Sequence, residues 1–138
     1  MSTKIILKAN RKFGSELEGE ALVSREPIHF TLDVASETGI VMGTKHDLCG
    51  KSIAGKILVM PSAKGGVQSA MSIAELQKDG FGPRALLYDK TNPIMVQGAI
   101  MTNIPIMDCF DQNPAEVIKS GDWVRVKPEQ GIVEIERK

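Results

Sequence analysis

Aromatic side chains and an excess of charge of either sign are what this sequence most lacks. Only 4% of its 138 residues are aromatic: four Phe, one Tyr and one Trp. So few rings make stacking surfaces for bases or sugars difficult to build. Lysine and arginine together number 17, as do aspartate and glutamate, so the formal net charge is zero. Both features argue against a nucleic-acid-binding protein, which normally carries a basic patch.

Long apolar runs and clustered cysteines are missing as well. No segment approaches the roughly 20 apolar residues that cross a bilayer, and the apolar run at residues 5–7 is too short for the core of a signal peptide. We therefore expect a cytoplasmic protein with no membrane partner. Cys49 and Cys109 lie far apart and outside any metal-binding spacing, which predicts free thiols in a reducing compartment.

What is present is the composition of an ordinary globular domain. Apolar residues make up 42% of the chain and charged residues 25%, as in most folded proteins. The length suits one domain with a hydrophobic core, so we expect a single domain over residues 1–138. With aromatic residues scarce, the seven methionines are expected to fill that core together with the aliphatic side chains.

The stretch from residue 55 to residue 80 predicts a strand, a short loop and a helix. Residues 57–60 form a compact apolar run between Gly55 and Pro61, typical of a buried strand. A helix is predicted from Val67 to about Gly80, because apolar residues recur there at helical spacing. Its predicted apolar face consists of Val67, Ala70, Met71 and Ala74, widened by Ile73 and Leu76. A glycine loop before a helix directs free backbone N–H groups at one point, which suits a carboxylate or a phosphate.

The remaining segments predict a mixed sheet with two or three helices, an α+β fold. Strands are predicted at 4–8, 17–24, 84–88 and 104–107, with a further short strand beginning at 28–30. Residues 94–101 form either a short helix or a bent strand, and residues 33–52 are irregular. Asn113 and Pro114 predict the start of a brief helix. A hairpin is predicted from 122–127 and 132–135.

An ordered set of segments between Glu18 and Glu136 resembles the swivel domain, or small subunit, of the aconitase X family. The segments are EGEALVSREPI, ETGIV, KHDLCGKSIAGKILVMPSAKGG, GFGPRALLY, GAIMTNIPIMD, SGDWVRV and GIVEI. The resemblance implies a swivelling β/β/α domain with a barrel-like mixed sheet. It also implies a separate large catalytic subunit as partner, which holds an iron–sulfur cluster or iron, while this chain binds no cofactor or metal itself.

The activity implied by the resemblance is that of a hydro-lyase subunit, which is not active alone and dehydrates a small hydroxy acid as part of a heterodimer. Known substrates in the family are cis-3-hydroxy-L-proline and mevalonate 5-phosphate. We place hydroxyproline slightly ahead, on the Trp123-bearing GDWVRV segment and on departures from the archaeal pattern. In the family, the small subunit closes over the cluster, and a serine in its glycine-rich loop accepts the proton.

The sequence departs from the family at that serine. Lys64 and Gly65 match the family pattern, but Gly66 stands where the serine is expected. We expect Lys64, Gly65 and Gly66 to bind the substrate anion, with Ser69 and Ser62 as the candidate proton acceptors. A second departure lies at residues 32–35, which read Leu-Asp-Val-Ala where the family usually has a Gly-Gly-Val-Asp type of turn.

Structural interpretations stand beside these functional ones. Lys64 could equally be a solvent-exposed lysine in a tight turn. Ser69 could be a residue at the start of a helix whose hydroxyl bonds to the backbone. His46 is either ligand-facing or an ordinary loop residue, the second being favoured, and His29 is interpreted as structural. At the level of the whole chain, the alternative function is a non-catalytic binding or regulatory swivel domain. A self-sufficient small enzyme is disfavoured, because no metal set, nucleophile–base pair or cofactor fingerprint is present.

Overall fold

A computed structural model describes residues 3–43 and 45–137 of the chain. Within them, seven strands close into a barrel and three α-helices pack outside it or at its end. The strands are β1 (Thr3–Phe13), β2 (Leu17–Val23), β3 (Ile57–Ser62), β4 (Ala85–Lys90), β5 (Ile106–Phe110), β6 (Trp123–Lys127) and β7 (Ile132–Arg137). The helices are α1 (Val67–Lys78), α2 (Pro93–Met101) and α3 (Pro114–Val117), with a 3-10 turn at Pro128–Gln130. This confirms the α+β class and the barrel-like mixed sheet.

The barrel closes because its first two strands each belong to two sheets. Around the barrel the strand order is β1-β5-β4-β3-β2-β6-β7. Residues 3–8 of β1 pair with β7, and residues 9–13 pair with β5. Residues 17–20 of β2 pair with β6, and residues 21–23 pair with β3. The pairs β2–β3, β3–β4 and β4–β5 are parallel, so these four strands end at the same edge of the sheet.

Strand β3 lies at the centre of this parallel part and is covered on both faces. Ile57 and Val59 point into the barrel, while Leu58 and Met60 point into a second core under the helices. All four side chains are fully buried. Covering on both faces explains why this strand reads as an unbroken apolar run instead of alternating with polar residues.

The predicted apolar face of α1 is partly wrong. Val67 and Met71 are 63% and 61% exposed, and Ala74 is only half-buried. The residues that the helix buries are Ser69, Ala70, Ile73 and Leu76. Two neighbours shift the buried face: α2 packs closely on Ala70 at Gly98, and the segment after β2 contacts Ser69 through a hydrogen bond. Periodicity alone could not reveal either neighbour.

The methionines divide between the interior and the surface, so the prediction that they fill the core is only half right. The buried ones are Met60, Met95 and Met107, and the exposed ones are Met42, Met71 and Met101, while Met1 lies outside the described residues. The longest helix has 12 residues, and in the described part of the chain no helix has the length and apolar character to cross a bilayer.

Most other local predictions are confirmed. The described residues of the segment 33–52, which exclude residue 44, are irregular and contain two isolated bridges, Val34 to Val41 and Ile40 to Ser52. Residues 93–101 are a helix, and β6 and β7 form the predicted hairpin. The predicted strand at residues 28–30 is wrong, because the backbone there turns and bonds to side chains instead of to a neighbouring strand.

An ion pair fastens the last strand to the loop before β6. Arg137 donates from Nε and Nη2 to the two carboxylate oxygens of Asp122, at 3.1 and 2.7 Å, and from Nη2 to the carbonyl of Val117. Asp122 is buried. Burial acts to raise the pKa of its carboxyl, but hydrogen bonds from Arg137 and from the Lys119 N–H outweigh this, and the pKa lies below its ordinary value.

Replacing Arg137 with alanine should lower the free energy of unfolding by about 2 kcal/mol at pH 7, because a buried carboxylate loses its partner. Since folding lowers the pKa of Asp122, the stabilisation is fully present above the ordinary pKa of 3.8 and is lost as the pH falls through the folded value. The difference between wild type and variant, measured by urea unfolding, should therefore shrink towards pH 3. Arg125→Ala is the matched control, since Arg125 pairs with the more exposed Glu136 and Glu18 and should lose at most about 1 kcal/mol. Equal losses in the two variants would contradict the account.

Candidate functional site

Three segments meet where the parallel strands end. The loop of residues 63–66 follows β3, Thr91 and Asn92 follow β4, and residues 24–33 follow β2. Because β2, β3 and β4 are parallel neighbours, these three segments share one edge of the sheet. In α/β proteins, ligands commonly bind at the carboxyl ends of parallel strands. We call residues 63–66 the glycine loop.

Gly65 and Gly66 play different steric roles in the glycine loop. Gly65 has a φ of +88°, and a Cβ built on it would lie 2.6 Å from His29 Cδ2 and 2.8 Å from Ser69 Cβ. A side chain at position 65 is therefore excluded by both the backbone conformation and the space. Gly66 has a φ of −117°, and a Cβ built there would have no atom within 4 Å. Position 66 has room for a side chain.

The glycine loop ends at the N-terminus of α1. Gly66 is the N-cap residue and no side chain caps the helix. The first helical bond runs from Ala70 N–H to the Gly66 carbonyl, at 3.1 Å. Among the described residues, the N–H groups of residues 66–69 have no hydrogen-bond acceptor. Unpaired N–H groups at a helix start attract negative charge, and the exposed Lys64 adds a cation beside them.

The two predicted serines lie before and after the glycine loop in the chain, one at the end of β3 and one in α1. Ser62 is the last residue of β3, pairs with Lys90 of β4 and is half-buried. Ser69 is fully buried, and its Oγ accepts a hydrogen bond from the Phe30 N–H at 2.9 Å. Ser69 thus holds the segment after β2 against α1. Ser69 and Ser62 remain the predicted proton acceptors.

His29, interpreted from the sequence as structural, lies beside the glycine loop in the fold. Its half-buried ring packs against the glycine loop, with Nε2 lying 2.7 Å from a Cβ built on Gly65. Nδ1 accepts hydrogen bonds from the N–H groups of Thr31 and Leu32, at 3.3 and 3.2 Å. The only sequence signal is that His29 follows a strand, β2, that turns out to be the parallel neighbour of β3.

Asn92 contacts the glycine loop from the other side. Its Oδ1 accepts the Met95 N–H at 2.8 Å and so caps α2, while its Nδ2 lies 3.5 Å from the Gly65 carbonyl, at the limit of a hydrogen bond. Asn92 also lines a cavity of about 680 Å³ between α2 and strands β1 and β5. Arg11 and the buried Asp108 also line this cavity. Arg11 donates from Nε and Nη2 to the two carboxylate oxygens of Asp108, at 2.8 and 2.6 Å.

The other histidine and the cysteines lie apart from the glycine loop. His46 Nε2 is 3.2 Å from the Pro27 carbonyl, and its Nδ1 accepts the Leu48 N–H at 3.0 Å, which is a structural role in the irregular segment. Cys49 and Cys109 are free thiols, as predicted. Within residues 3–43 and 45–137, no three His, Cys, Asp or Glu side chains are grouped to hold a metal ion.

Comparison with known proteins identifies the family. A family model described as the aconitase X swivel domain matches residues 6–135. The chain belongs to the aconitase X swivel-domain family. This confirms both the resemblance drawn from the sequence segments and the predicted swivelling β/β/α fold.

Curated relatives and solved structures agree with this family assignment. The chain is 43% identical to the phosphomevalonate dehydratase small subunit of Methanosarcina acetivorans, over 86% of this chain and 82% of that protein. It is 40% identical to the protein of the same name from Methanocella arvoryzae, over 94% of this chain and 98% of that protein. The crystal structure of Thermococcus kodakaraensis aconitase X in its holo-form matches this chain with a TM-score of 0.87 and 41% sequence identity. The match covers 95% of this chain and 98% of the chain in that structure.

The two loop glycines give a direct test of the site geometry. Gly65→Ala should destabilise the protein by about 2 kcal/mol or more, because an alanine there is strained and overlaps His29. Gly66→Ala should change the free energy of unfolding by no more than about 0.5 kcal/mol, because its Cβ points into open space. Urea unfolding of both variants measures the contrast, and a larger loss at position 66 than at 65 would refute this geometry.

Proposed function

We propose that this chain is the small subunit of an aconitase X-type dehydratase that removes water from mevalonate 5-phosphate. The observation that carries the proposal is the likeness, over 86% and 94% of the chain, to proteins named phosphomevalonate dehydratase small subunit. Their name reverses the order of substrates drawn from the sequence, which put cis-3-hydroxy-L-proline first on the weaker ground of one tryptophan-bearing segment. Hydroxyproline becomes the second substrate to test.

The glycine loop is the part of this chain proposed to meet the substrate. Mevalonate 5-phosphate has a carboxylate and a phosphate, and the loop offers the N–H groups of residues 66–69 and the exposed Lys64. Donors fixed before the substrate arrives stabilise negative charge without further reorganisation. Lys64, Gly65 and Gly66 would therefore bind an anionic group, as the sequence predicted.

The dehydration itself needs a base and a departing hydroxyl group. A proton leaves the carbon next to the carboxylate, and the C–H electron pair forms the new double bond. The neighbouring C–O bond breaks, and the hydroxyl leaves with a proton as water, so the reaction needs no oxidant or reductant. During proton removal, negative charge spreads onto the carboxylate oxygens, where loop donors would act most strongly.

The large subunit is the partner proposed to hold the iron–sulfur cluster or iron. The described residues of this chain do not fit such a group, because no three His, Cys, Asp or Glu side chains converge. Cys49 and Cys109 are too few for a cluster, which takes about four thiolates, or three with substrate as the remaining ligand. This chain would contribute binding groups and a lid.

The second candidate function is a non-catalytic binding or regulatory domain. Two observations favour it: Gly66 has no hydroxyl, and the Ser69 hydroxyl is buried and already bonded to the Phe30 N–H. Under this alternative the anion site would survive while proton transfer was lost. The open space at position 66 makes the two functions separable, since a serine can be introduced there without a clash.

Co-expression with the aconitase X-type large subunit of the same organism should yield a complex that converts mevalonate 5-phosphate, while the isolated chain converts nothing. Release of water is followed by mass spectrometry of the product, with cis-3-hydroxy-L-proline as the competing substrate. Gly66→Ser is the matched variant, because it restores the hydroxyl of the family pattern in available space. An inactive wild-type complex that gains activity with Gly66→Ser would favour the non-catalytic domain. Turnover by the isolated chain would contradict the subunit proposal.

A further inference from the structure

We propose that His29 binds the substrate, donating a hydrogen bond from its Nε2–H to an anionic oxygen held at the glycine loop. This inference rests on the function proposed above and deepens it, because it assigns a substrate contact to a residue outside the glycine loop. The contact arises from a juxtaposition in the fold: a ring that follows β2 lies against the loop that follows β3.

The hydrogen bonds of the ring decide which nitrogen carries the proton. Nδ1 accepts the N–H groups of both Thr31 and Leu32, so its lone pair is occupied. In a neutral imidazole the proton then lies on Nε2, which becomes a donor. Among the described residues Nε2 has no hydrogen-bond partner, although it lies beside the glycine loop. The free N–H is available to a bound molecule.

The backbone around His29 is fixed by bonds that close on both sides of it. The His29 N–H donates to Asp33 Oδ2 at 2.8 Å, and the Asp33 N–H donates back to the His29 carbonyl at 2.8 Å. The adjacent Phe30 N–H is held by Ser69, and Thr31 Oγ1 donates to the Gln68 carbonyl of α1 at 3.0 Å. His29 is thus attached to α1 itself, the helix whose N-terminus forms the proposed anion site.

Gly65 completes the arrangement by letting the ring approach the loop backbone. Any Cβ at position 65 would lie within 2.7 Å of Nε2 and fill the space that the ring occupies. The ring thereby lies beside Gly65, which follows Lys64 and directly precedes the unpaired N–H groups at the start of α1. The imidazole N–H, the helix N–H groups and the lysine ammonium are all donors that suit a carboxylate or phosphate oxygen.

His29 acts in this proposal as a donor that keeps its proton. A neutral imidazole N–H polarises a substrate oxygen without transferring a proton. If the bound oxygen belongs to the carboxylate, the bond strengthens as charge develops, and its loss lowers kcat. If it belongs to the phosphate, the bond is equal in ground and transition states, and its loss raises KM alone.

Two substitutions separate this role from a merely structural one. In His29→Asn, the side-chain oxygen replaces Nδ1 as acceptor for Thr31 and Leu32, but the Nε2–H is removed. In His29→Gln, the amide reaches the place of Nε2 and can donate, but the Nδ1 acceptor is lost. We expect His29→Asn to keep the melting temperature within a few degrees and to lose about 100-fold in kcat/KM in the complex. His29→Gln should melt lower and retain more activity than His29→Asn.

The opposite ranking would overturn the proposal. If His29 only supports the turn, His29→Asn should be fully active and His29→Gln should lose both stability and activity. A fall in kcat would identify the carboxylate as the bound group, and a rise in KM alone would identify the phosphate. Equal activity of wild type and His29→Asn on both parameters contradicts a substrate contact.

A separate measurement decides the inference if the wild-type complex proves inactive on mevalonate 5-phosphate. The full chain, labelled with 15N in histidine, is titrated with inorganic phosphate and followed by long-range proton–nitrogen correlation. We expect the Nε2–H tautomer of His29 before titration and a shift of that nitrogen on adding phosphate, with no response from His46. A proton on Nδ1, or an unchanged His29 signal, would refute the inference whatever the substrate of the complex.

Discussion

The candidate site depends on one close approach, that of the His29 ring to the backbone at Gly65. No side chain fits between them, since a Cβ on Gly65 would lie 2.6 Å from the ring carbon Cδ2. The positive φ of Gly65 turns the loop into α1, and the same turn leaves room for the imidazole. A single glycine therefore affects both the direction of the helix N-terminus and the position of the adjacent imidazole.

The barrel makes this approach possible by placing β2, β3 and β4 side by side in parallel. The segments after those strands meet at one edge, so His29, the glycine loop and Asn92 come together from distant parts of the sequence. The doubly buried strand β3 provides a rigid base for the glycine loop, as its four apolar side chains are fully buried. Ser69 contributes by tying the segment after β2 to α1. Rigid support of this kind keeps binding groups in place before a ligand arrives.

Local patterns predicted much of the fold, because they report local structure. The strand, loop and helix between residues 55 and 80 follow from apolar runs and glycine positions, and the β6–β7 hairpin follows from clean alternation. The buried face of α1 did not follow, since it depends on α2 and on the segment after β2. The short strand at residues 28–30 was predicted wrongly for a related reason: its N–H groups bond to Asp33 and Ser69, which no propensity reports.

The sequence predicted only the part of the candidate site whose residues are adjacent in the chain. Lys64, Gly65 and Gly66 stand together in the sequence, and the family resemblance drew attention to them. His29 was interpreted as structural. Its nearness to Gly65 could not be predicted, because it depends on the parallel pairing of β2 with β3 across a long irregular segment. The resemblance located the missing serine at position 66, but only the structure reveals that this position is open.

The most direct test of the account is a crystal structure of the complex with the large subunit and bound mevalonate 5-phosphate. The quantity to measure is the distance from His29 Nε2 to the nearest anionic oxygen of the substrate. The account predicts a hydrogen-bond distance of about 2.7–3.2 Å, with the same anionic group facing the N-terminus of α1. A substrate bound away from the glycine loop, with His29 Nε2 facing only solvent, would contradict it.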